Sequence, residues 1–246
     1  MRTINSNFSL KTYEYDIIDS TNNQCKRLWE QGEETALVIA NGQSCGKGRL
    51  SRSFYSPKDS GIYMSLLLRP SIKAEDCVLV TTAAAVAVSN AIDKITGKKS
   101  LIKWVNDIYL ENKKVCGILC EAGFKPQEKN LDYIILGIGI NLYTRVFPDD
   151  IKDKAGSLFA KEVDIKEALI NSIVAEFFTL YEKLPQKDYM SLYREKSMLM
   201  GKEVSFIKDG TKYVGTVEDI NDNAEIIIKT KENTVTLFAG EVSLEF

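Results

Sequence analysis

Residues 101–121 read LIKWVNDIYLENKKVCGILCE. Leu101 to Trp104 and Ile108 to Leu110 are short apolar runs with the look of strands. Glu111-Asn112-Lys113 supplies a hairpin turn, and Lys114 to Glu121 continues as a longer strand. The texture is that of a mixed sheet, not of a regular βαβ alternation.

The flanks extend this reading. Tyr133 to Leu142 is a second long strand, and Gly61 to Leu68 is a buried one closed by Pro70. Between them Ala74 to Ile95 is an alanine-rich helix with Gly97 beyond its end. Its apolar stretch, Val78 to Ile92, is interrupted by Thr81, Thr82, Ser89 and Asn90, too short to cross a bilayer and suited to a buried helix. Nearer the start, Tyr13 to Ile18 alternates as a strand. Ser20-Thr21-Asn22 then offers capping chemistry for a helix to about Gln31, stopped by Gly32. Ala36 to Ala40 is a short strand, and Asn41 to Ser60 is loop-like. Ile165, Leu169, Ile173, Phe177 and Leu180 form one stripe of a helix that Pro185 ends, with a shorter helix over Asp188 to Met198.

After Met200 the texture changes. Val204–Phe206, Tyr213–Val217, Ile226–Ile228, Val235–Leu237 and Val242–Leu244 are short strands separated by turns such as Asp209-Gly210. They read as a small barrel, SH3-like or OB-like. The expectation is an α+β protein with a large domain over 1–198 and a small one over 199–246.

Composition narrows the chemistry. The chain has 246 residues, 44% of them hydrophobic and 27% charged, ordinary values for a globular protein. A formal net charge of -2 gives no bias toward DNA or another long polyanion, whereas the local basic clusters at Lys47, Arg49 and Arg52 and at Lys103, Lys113 and Lys114 suit a small anion. There is no histidine, which removes Ser-His-Asp and Cys-His catalysis and every histidine-ligated metal. The five cysteines, Cys25, Cys45, Cys77, Cys116 and Cys120, show no paired spacing and read as buried free thiols of a reducing cytoplasm. The start is polar through Ser9 and carries no signal-peptide core, so a cytoplasmic protein with no membrane segment is expected.

Several segments could carry chemistry. Gly46-Lys47-Gly48-Arg49, with Arg52 following, combines backbone N–H groups that can approach an anion with positive charge, although a solvated basic loop has the same composition. It is not a P-loop, because the glycine spacing is short by one and Gly48 stands where a hydroxyl would hold Mg²⁺. Asn106 and Asp107 lie at a strand end, where Asp107 can hold a cation, orient a lysine or simply make a turn. Lys114 opens a strand at the sheet rim, placed for an anionic ligand or for solvent. Gly137 and Gly139 clear one face of an apolar strand for a ligand or for another element.

Taken together and in this order, these segments resemble the biotin–protein ligases, from about Tyr15 to Leu244. Lys103-Trp104-Val105-Asn106-Asp107 followed by Lys114-x-x-Gly117-Ile118-Leu119-x-Glu121 is the most diagnostic part. The resemblance implies a class II synthetase-like mixed sheet with helices and an SH3-like cap. It implies that biotin is activated with ATP and Mg²⁺ as an adenylate and passed to a lysine of a biotin carboxyl carrier protein. By position in the motifs, Ser20, Thr21, Asn22, Gln43, Lys47, Gly48, Arg49, Lys114 and Gly117 would contact biotin. Gly46, Lys47, Arg49, Arg52, Phe54, Lys103, Asn106, Asp107 and Asn141 would contact ATP, with Asp107 on the Mg²⁺ side and Gly139 in the ligand floor. Lys114 and Arg49 would be the catalytic cations, and the glycine loop would order over the ligand. Ser20-Thr21-Asn22 lies too near the start for the N-terminal helix-turn-helix of bifunctional members, so a monofunctional ligase is expected. A homodimer pairing sheet edges is compatible with the resemblance.

The sequence departs from the family pattern at Lys47, where an arginine is usual, at Ser51, where a glycine is common, and at Val105, where proline is usual. A lipoate–protein ligase shares this chemistry, and a non-enzymatic peptide- or RNA-binding module is the other reading. The absence of a basic aromatic face on the terminal strands disfavours the latter.

Overall fold

Glu111 and Asn112 both adopt left-handed backbone, with φ of 50° and 62°, the two-residue hairpin geometry that matches strand twist. They do so in a computed structural model of the chain that describes residues 2–3, 10–70, 72–124, 131–238 and 242–244. Most of the polar start through Ser9 lies outside the described residues.

In chain order the elements are β1 (Arg2–Thr3), β2 (Lys11–Ile18), α1 (Thr21–Glu30), β3 (Ala36–Gln43), β4 (Gly61–Leu68), α2 (Cys77–Thr96), β5 (Leu101–Lys103), β6 (Asp107–Leu110), β7 (Lys113–Phe124), β8 (Leu131–Asn141), α3 (Lys166–Glu182) and α4 (Met190–Glu195). Then follow β9 (Glu203–Lys208), β10 (Thr211–Ile220), β11 (Ile226–Thr230), β12 (Thr234–Leu237) and β13 (Val242–Leu244).

The first eight strands form one sheet, ordered β1-β2-β3-β4-β8-β7-β6-β5. Among the described residues only the neighbours β2 and β3 run parallel, joined through α1; the remaining neighbours are antiparallel, so the sheet is mixed. α1 packs on one face, against β3, β4 and β8. α2 packs on the other, beneath α3 and α4. Every residue of β4 is buried, which explains its unbroken apolar character. α2 begins with a 3-10 turn at Ala74–Asp76 and ends at left-handed Gly97. This helix is longer than its apolar stretch indicated: Ala74–Thr96 has the length and composition to cross a bilayer, but 72% of its apolar window is buried in the protein, as for a core helix.

Three local expectations change. β3 continues through Asn41 and Gly42 to Gln43, because Gly42 and Gln43 pair with Ile17 and Ile18 of β2; ladder pairing outweighs the loop-forming preference of Asn and Gly. Ser20 has the extended backbone of a cap but makes no capping hydrogen bond. The Gln43 side chain serves instead, accepting from Thr21 N at 2.8 Å. The last helix is shorter than expected, Met190–Glu195.

β9 to β13 make a second, antiparallel sheet, ordered β12-β11-β10-β9-β13. β12 and β13 are its edges and do not pair among the described residues, so the pairing is that of a five-stranded sheet and does not by itself close a barrel. Its inward residues Val204, Phe206, Val217, Ile226 and Ile228 belong to the same buried cluster as the α2 side of the large sheet. The architecture is α+β, as the sequence suggests.

Candidate active site

The site is built on the face of the large sheet that carries α1. Strand register sets out two rows across it. One row runs Asp107, Gly117, Gly139, Tyr63. The next runs Leu119, Gly137, Ser65, Val38. Side chains on a strand alternate faces, so the glycines of both rows clear one continuous floor.

What fills that floor comes from outside the sheet. A Cβ at Gly137 would collide with Asn22 Oδ1, and a Cβ at Gly139 would come within 2.5 Å of the Phe54 ring. At Gly117 the nearest atoms would be the Phe54 ring at 3.2 Å and Lys114 Cε at 3.4 Å. Phe54 therefore lies over Gly117 and Gly139, with its edge toward Tyr63. Burial pushes the Tyr63 phenol up to about 12, so it stays a neutral donor to Pro57 O at 2.9 Å.

The polar wall begins at α1. Thr21 donates to Gln43 Oε1 through N at 2.8 Å and through Oγ1 at 3.2 Å. Gln43 Nε2 donates to Ser56 Oγ at 2.9 Å, and Ser56 donates to Phe54 O at 2.9 Å. Ser65 Oγ lies 2.7 Å from Thr21 Oγ1 and donates to Asn22 Oδ1 at 2.6 Å. Asn22 Nδ2 then donates to Glu121 Oε2 at 2.7 Å. Ser20, Thr21 and Asn22 are all buried. Asp19, just before them, accepts from the Arg27 guanidinium at 2.6 and 2.9 Å, which holds its carboxyl well below the usual carboxylate range.

The glycine loop folds back over this wall. Phe54 N donates to Gly46 O, Gly48 N to Arg52 O and Arg52 N to Arg49 O. Leu50 and Ser51 form its tip with φ of 54° and 60°, a left-handed pair that is costly without glycine. The usual glycine position, Ser51, thus falls where glycine would be easiest. A Cβ at Gly46 would strike Phe54 O and Ser56 Oγ, so glycine is required there.

Cations from separate segments converge on adjacent residues. Arg49 donates to Asn106 Oδ1 at 3.0 Å. Lys114 Nζ lies 2.7 Å from Asp107 Oδ1. Lys47 Nζ reaches Glu121 Oε1 at 3.1 Å. Asn106 is itself fixed by donating to Ile118 O at 2.8 Å. Lys103 pairs across from Asp107 at the strand end. Arg52 stays exposed on the loop. Asn141, at the end of β8, is buried and donates to Gly156 O at 3.0 Å, while its Oδ1 has no hydrogen-bond partner among the described residues.

Ser65 and Ser56 enter the site unannounced by the motif reading. Ser65 carried a signal: it is the one strongly polar side chain in the apolar run GIYMSLLL. Cys45, beside the loop, is exposed, in contrast to the expectation of buried thiols. Cys116 and Cys120 share the α2 face of β7, across from Ile140 and Leu136. Burial pushes the Cys116 thiol up and takes Cys120 to about 12, so both stay protonated.

No three Cys, Asp or Glu residues gather as a metal site among the described residues. One carboxylate, Asp107, suits Mg²⁺ arriving with a triphosphate, since Mg²⁺ keeps waters and shares its shell with phosphate oxygens. It does not suit a resident ion.

Comparison with known proteins shows the family of the chain. The chain is 31% identical over 243 residues to the bifunctional ligase/repressor BirA of Bacillus subtilis, covering 94% of this chain and 73% of that one. It is 25% identical to the biotin–[acetyl-CoA-carboxylase] ligase of Mycobacterium tuberculosis, covering 84% of this chain and 77% of that one. A biotin protein ligase from Aquifex aeolicus, solved in complex with biotin and ATP, superposes with a TM-score of 0.78 at 30% identity, covering 96% of this chain and 98% of that one. The profile of the biotin/lipoate A/B protein ligase family matches residues 15–141, the span that holds Thr21, the glycine loop, Lys114 and the glycine floor, and the chain belongs to that family.

Proposed function

We propose that this chain is an ATP-dependent biotin–protein ligase that forms biotinyl-5'-AMP and transfers biotin to a lysine of the biotin carboxyl carrier protein of acetyl-CoA carboxylase. The observation that carries the reading is the meeting of Arg49 and Lys114 on the neighbouring residues Asn106 and Asp107, above a floor cleared by Gly117 and Gly139.

In the first half-reaction a biotin carboxylate oxygen bonds to the α-phosphorus of ATP, and the bond from that phosphorus to pyrophosphate breaks. Two anions must be brought together, so the barrier is chiefly electrostatic. Lys114 and Arg49 place positive charge on the carboxylate and the α-phosphate, and Lys47, Arg52 and Lys103 extend it along the nucleotide. Mg²⁺ would enter on the triphosphate beside Asp107. Thr21, Asn22 and Gln43 offer a polar wall for the ureido ring, Gly46 and Gly48 bring loop backbone close to the adenylate, and Phe54 lies between the two ends of the site. No histidine is needed. In the second half-reaction a neutral lysine of the carrier bonds to the acyl carbon, and AMP leaves with its oxygen. A cytoplasmic setting, where thiols persist, is in keeping with the free cysteines.

The test is incubation with biotin, Mg-ATP and a biotin carrier domain, followed by intact-mass measurement of the carrier. One biotinyl group on one lysine is expected, with no lipoyl transfer when lipoate replaces biotin. Lipoyl transfer in place of biotinyl transfer, or an unchanged carrier, would overturn the proposal.

A further inference from the structure

We infer that Glu121 is a positioning residue for the biotin end of the site: it fixes Asn22 on the floor and latches the glycine loop through Lys47. The inference rests on the biotin-ligase reading.

Glu121 divides its two carboxylate oxygens between segments far apart in sequence. Oε2 accepts from Asn22 Nδ2 at 2.7 Å, and Oε1 accepts from Lys47 Nζ at 3.1 Å. An ionised carboxylate only accepts, so it dictates which way the Asn22 amide points. Ser65 supports the same orientation from behind, donating to Asn22 Oδ1 at 2.6 Å. Reversing the amide would set its oxygen against the Glu121 carboxylate and leave the Ser65 hydroxyl with Thr21 Oγ1 alone as acceptor. Gly137 leaves the room in which Asn22 sits. The amide is thus held from two strands, one residue away from Thr21 and its bonds to Gln43.

The second oxygen acts on the loop. Arg49 ties its far side to Asn106 at 3.0 Å, and Lys47 ties its near side to Glu121. Directly after Arg49, Leu50 and Ser51 hold left-handed backbone that a loop without its tethers at Lys47 and Arg49 would relax. The Lys47 and Glu121 side chains are 40% and 37% exposed, a setting in which an ion pair adds little to global stability. Its loss should therefore appear in loop opening and biotin use, not in the melting temperature. That separation distinguishes a positioning role from a merely structural one.

The test compares the parent with Glu121→Gln, Lys47→Ala, Lys47→Arg and the Glu121→Gln/Lys47→Ala double variant. Without ligand, subtilisin should cut within residues 46–54 several-fold faster in Glu121→Gln and Lys47→Ala, while Lys47→Arg stays near the parent. Melting temperatures should match. In biotin-dependent ATP–pyrophosphate exchange, Glu121→Gln should raise the biotin KM by about tenfold, in line with loss of a charge-assisted hydrogen bond. The double variant should be little worse than the worse single. Parental cleavage and parental biotin KM in Glu121→Gln, or additive effects in the double variant, would overturn the inference. The cleavage arm reads the latch even in a protein without exchange activity, so a parent inactive toward biotin would count against the ligase reading, whereas uniform cleavage across the variants would count against the latch.

Discussion

Lys114 is where the proposed chemistry is most exposed to a single substitution. Its ammonium is held 2.7 Å from Asp107 Oδ1 at the start of β7, and the neighbouring glycine leaves its side chain room to lie along the floor. Lys114→Ala should lower biotin-dependent pyrophosphate exchange by about a hundredfold or more, the size expected for a preorganised charge aimed at a developing anion; near-parental exchange would remove Lys114 from the mechanism. Gly137→Ala tests the floor. The added methyl meets Asn22 Oδ1 and cannot be accommodated by a flexible chain end, because Ser65 and Glu121 hold that amide. Folding stability should fall by about 1–3 kcal/mol, the usual cost of overpacking, and biotin binding measured by calorimetry should weaken more than ATP binding. At this scale the sequence showed the residues whose chemistry is visible in their type: the lysines and arginines, the glycines and the Asn-Asp pair. It was silent on Ser56, because an isolated serine in a loop says nothing of the glutamine that will donate to it across the strand.

Among the elements, α1 is the one whose placement governs the polar wall, and its anchoring has a pH signature. Arg27, in its last turn, forks onto Asp19 ahead of its first turn, and Asn23 adds a donor at 2.8 Å. Asp19 N-terminal to the helix also accepts from Cys45 N at 2.8 Å through its carbonyl, joining α1 to the glycine loop. The guanidinium depresses the Asp19 carboxyl below its unfolded value near 4. A depressed carboxylate contributes stability above its unfolded pKa and loses it as pH falls toward the folded one. Asp19→Asn should therefore cost about 0.5–1 kcal/mol at pH 7, discounted for the partial exposure of both side chains. The gap to the parent in urea melts should narrow steadily below about pH 4; a gap independent of pH would show that the pair does not titrate with folding. The elements also show where local reading stops. β4, β7 and β8 were legible because their apolar patterns are long, whereas the end of β3 was hidden by Asn41-Gly42, a turn signal in isolation that parallel pairing with β2 overrules. The exchange of Ser20 for Gln43 as the cap of α1 was equally hidden, because it depends on a residue at the far end of the following strand.

Across the whole molecule the two sheets meet at the motif that carries Asn106 and Asp107. Trp104 Nε1 donates to Ala224 O at 2.8 Å, from a buried position on the large sheet to the turn before β11. Tyr193 of α4 donates to Val105 O at 3.2 Å, and Arg194 reaches Ile220 O at 3.0 Å. Burial pushes the Tyr193 phenol up, so this donor stays protonated across ordinary pH. The small sheet is thus a brace for the active-site segment as well as a separate set of strands, and its inward residues share one apolar cluster with the large sheet. A shared core couples unfolding, because opening either sheet exposes the apolar surface of the other. Urea unfolding should then be a single transition, with tryptophan fluorescence and far-ultraviolet circular dichroism coincident, although chains of this length often unfold in stages. Trp29, on α1 and bonded to Asp132, reports the opposite face of the sheet from Trp104, so the two indoles sample distant regions. Trp104→Phe keeps most of the buried area but leaves the Ala224 carbonyl without its donor, at a cost of about 1–3 kcal/mol. The midpoint should fall for the circular dichroism signal and for the remaining Trp29 fluorescence together, and pyrophosphate exchange should fall with it at temperatures where the variant is still folded. If the Trp29 transition stayed at the parental midpoint while the dichroism split in two, the sheets would be energetically independent, and the bracing of Asn106 and Asp107 by the small sheet would have to be abandoned.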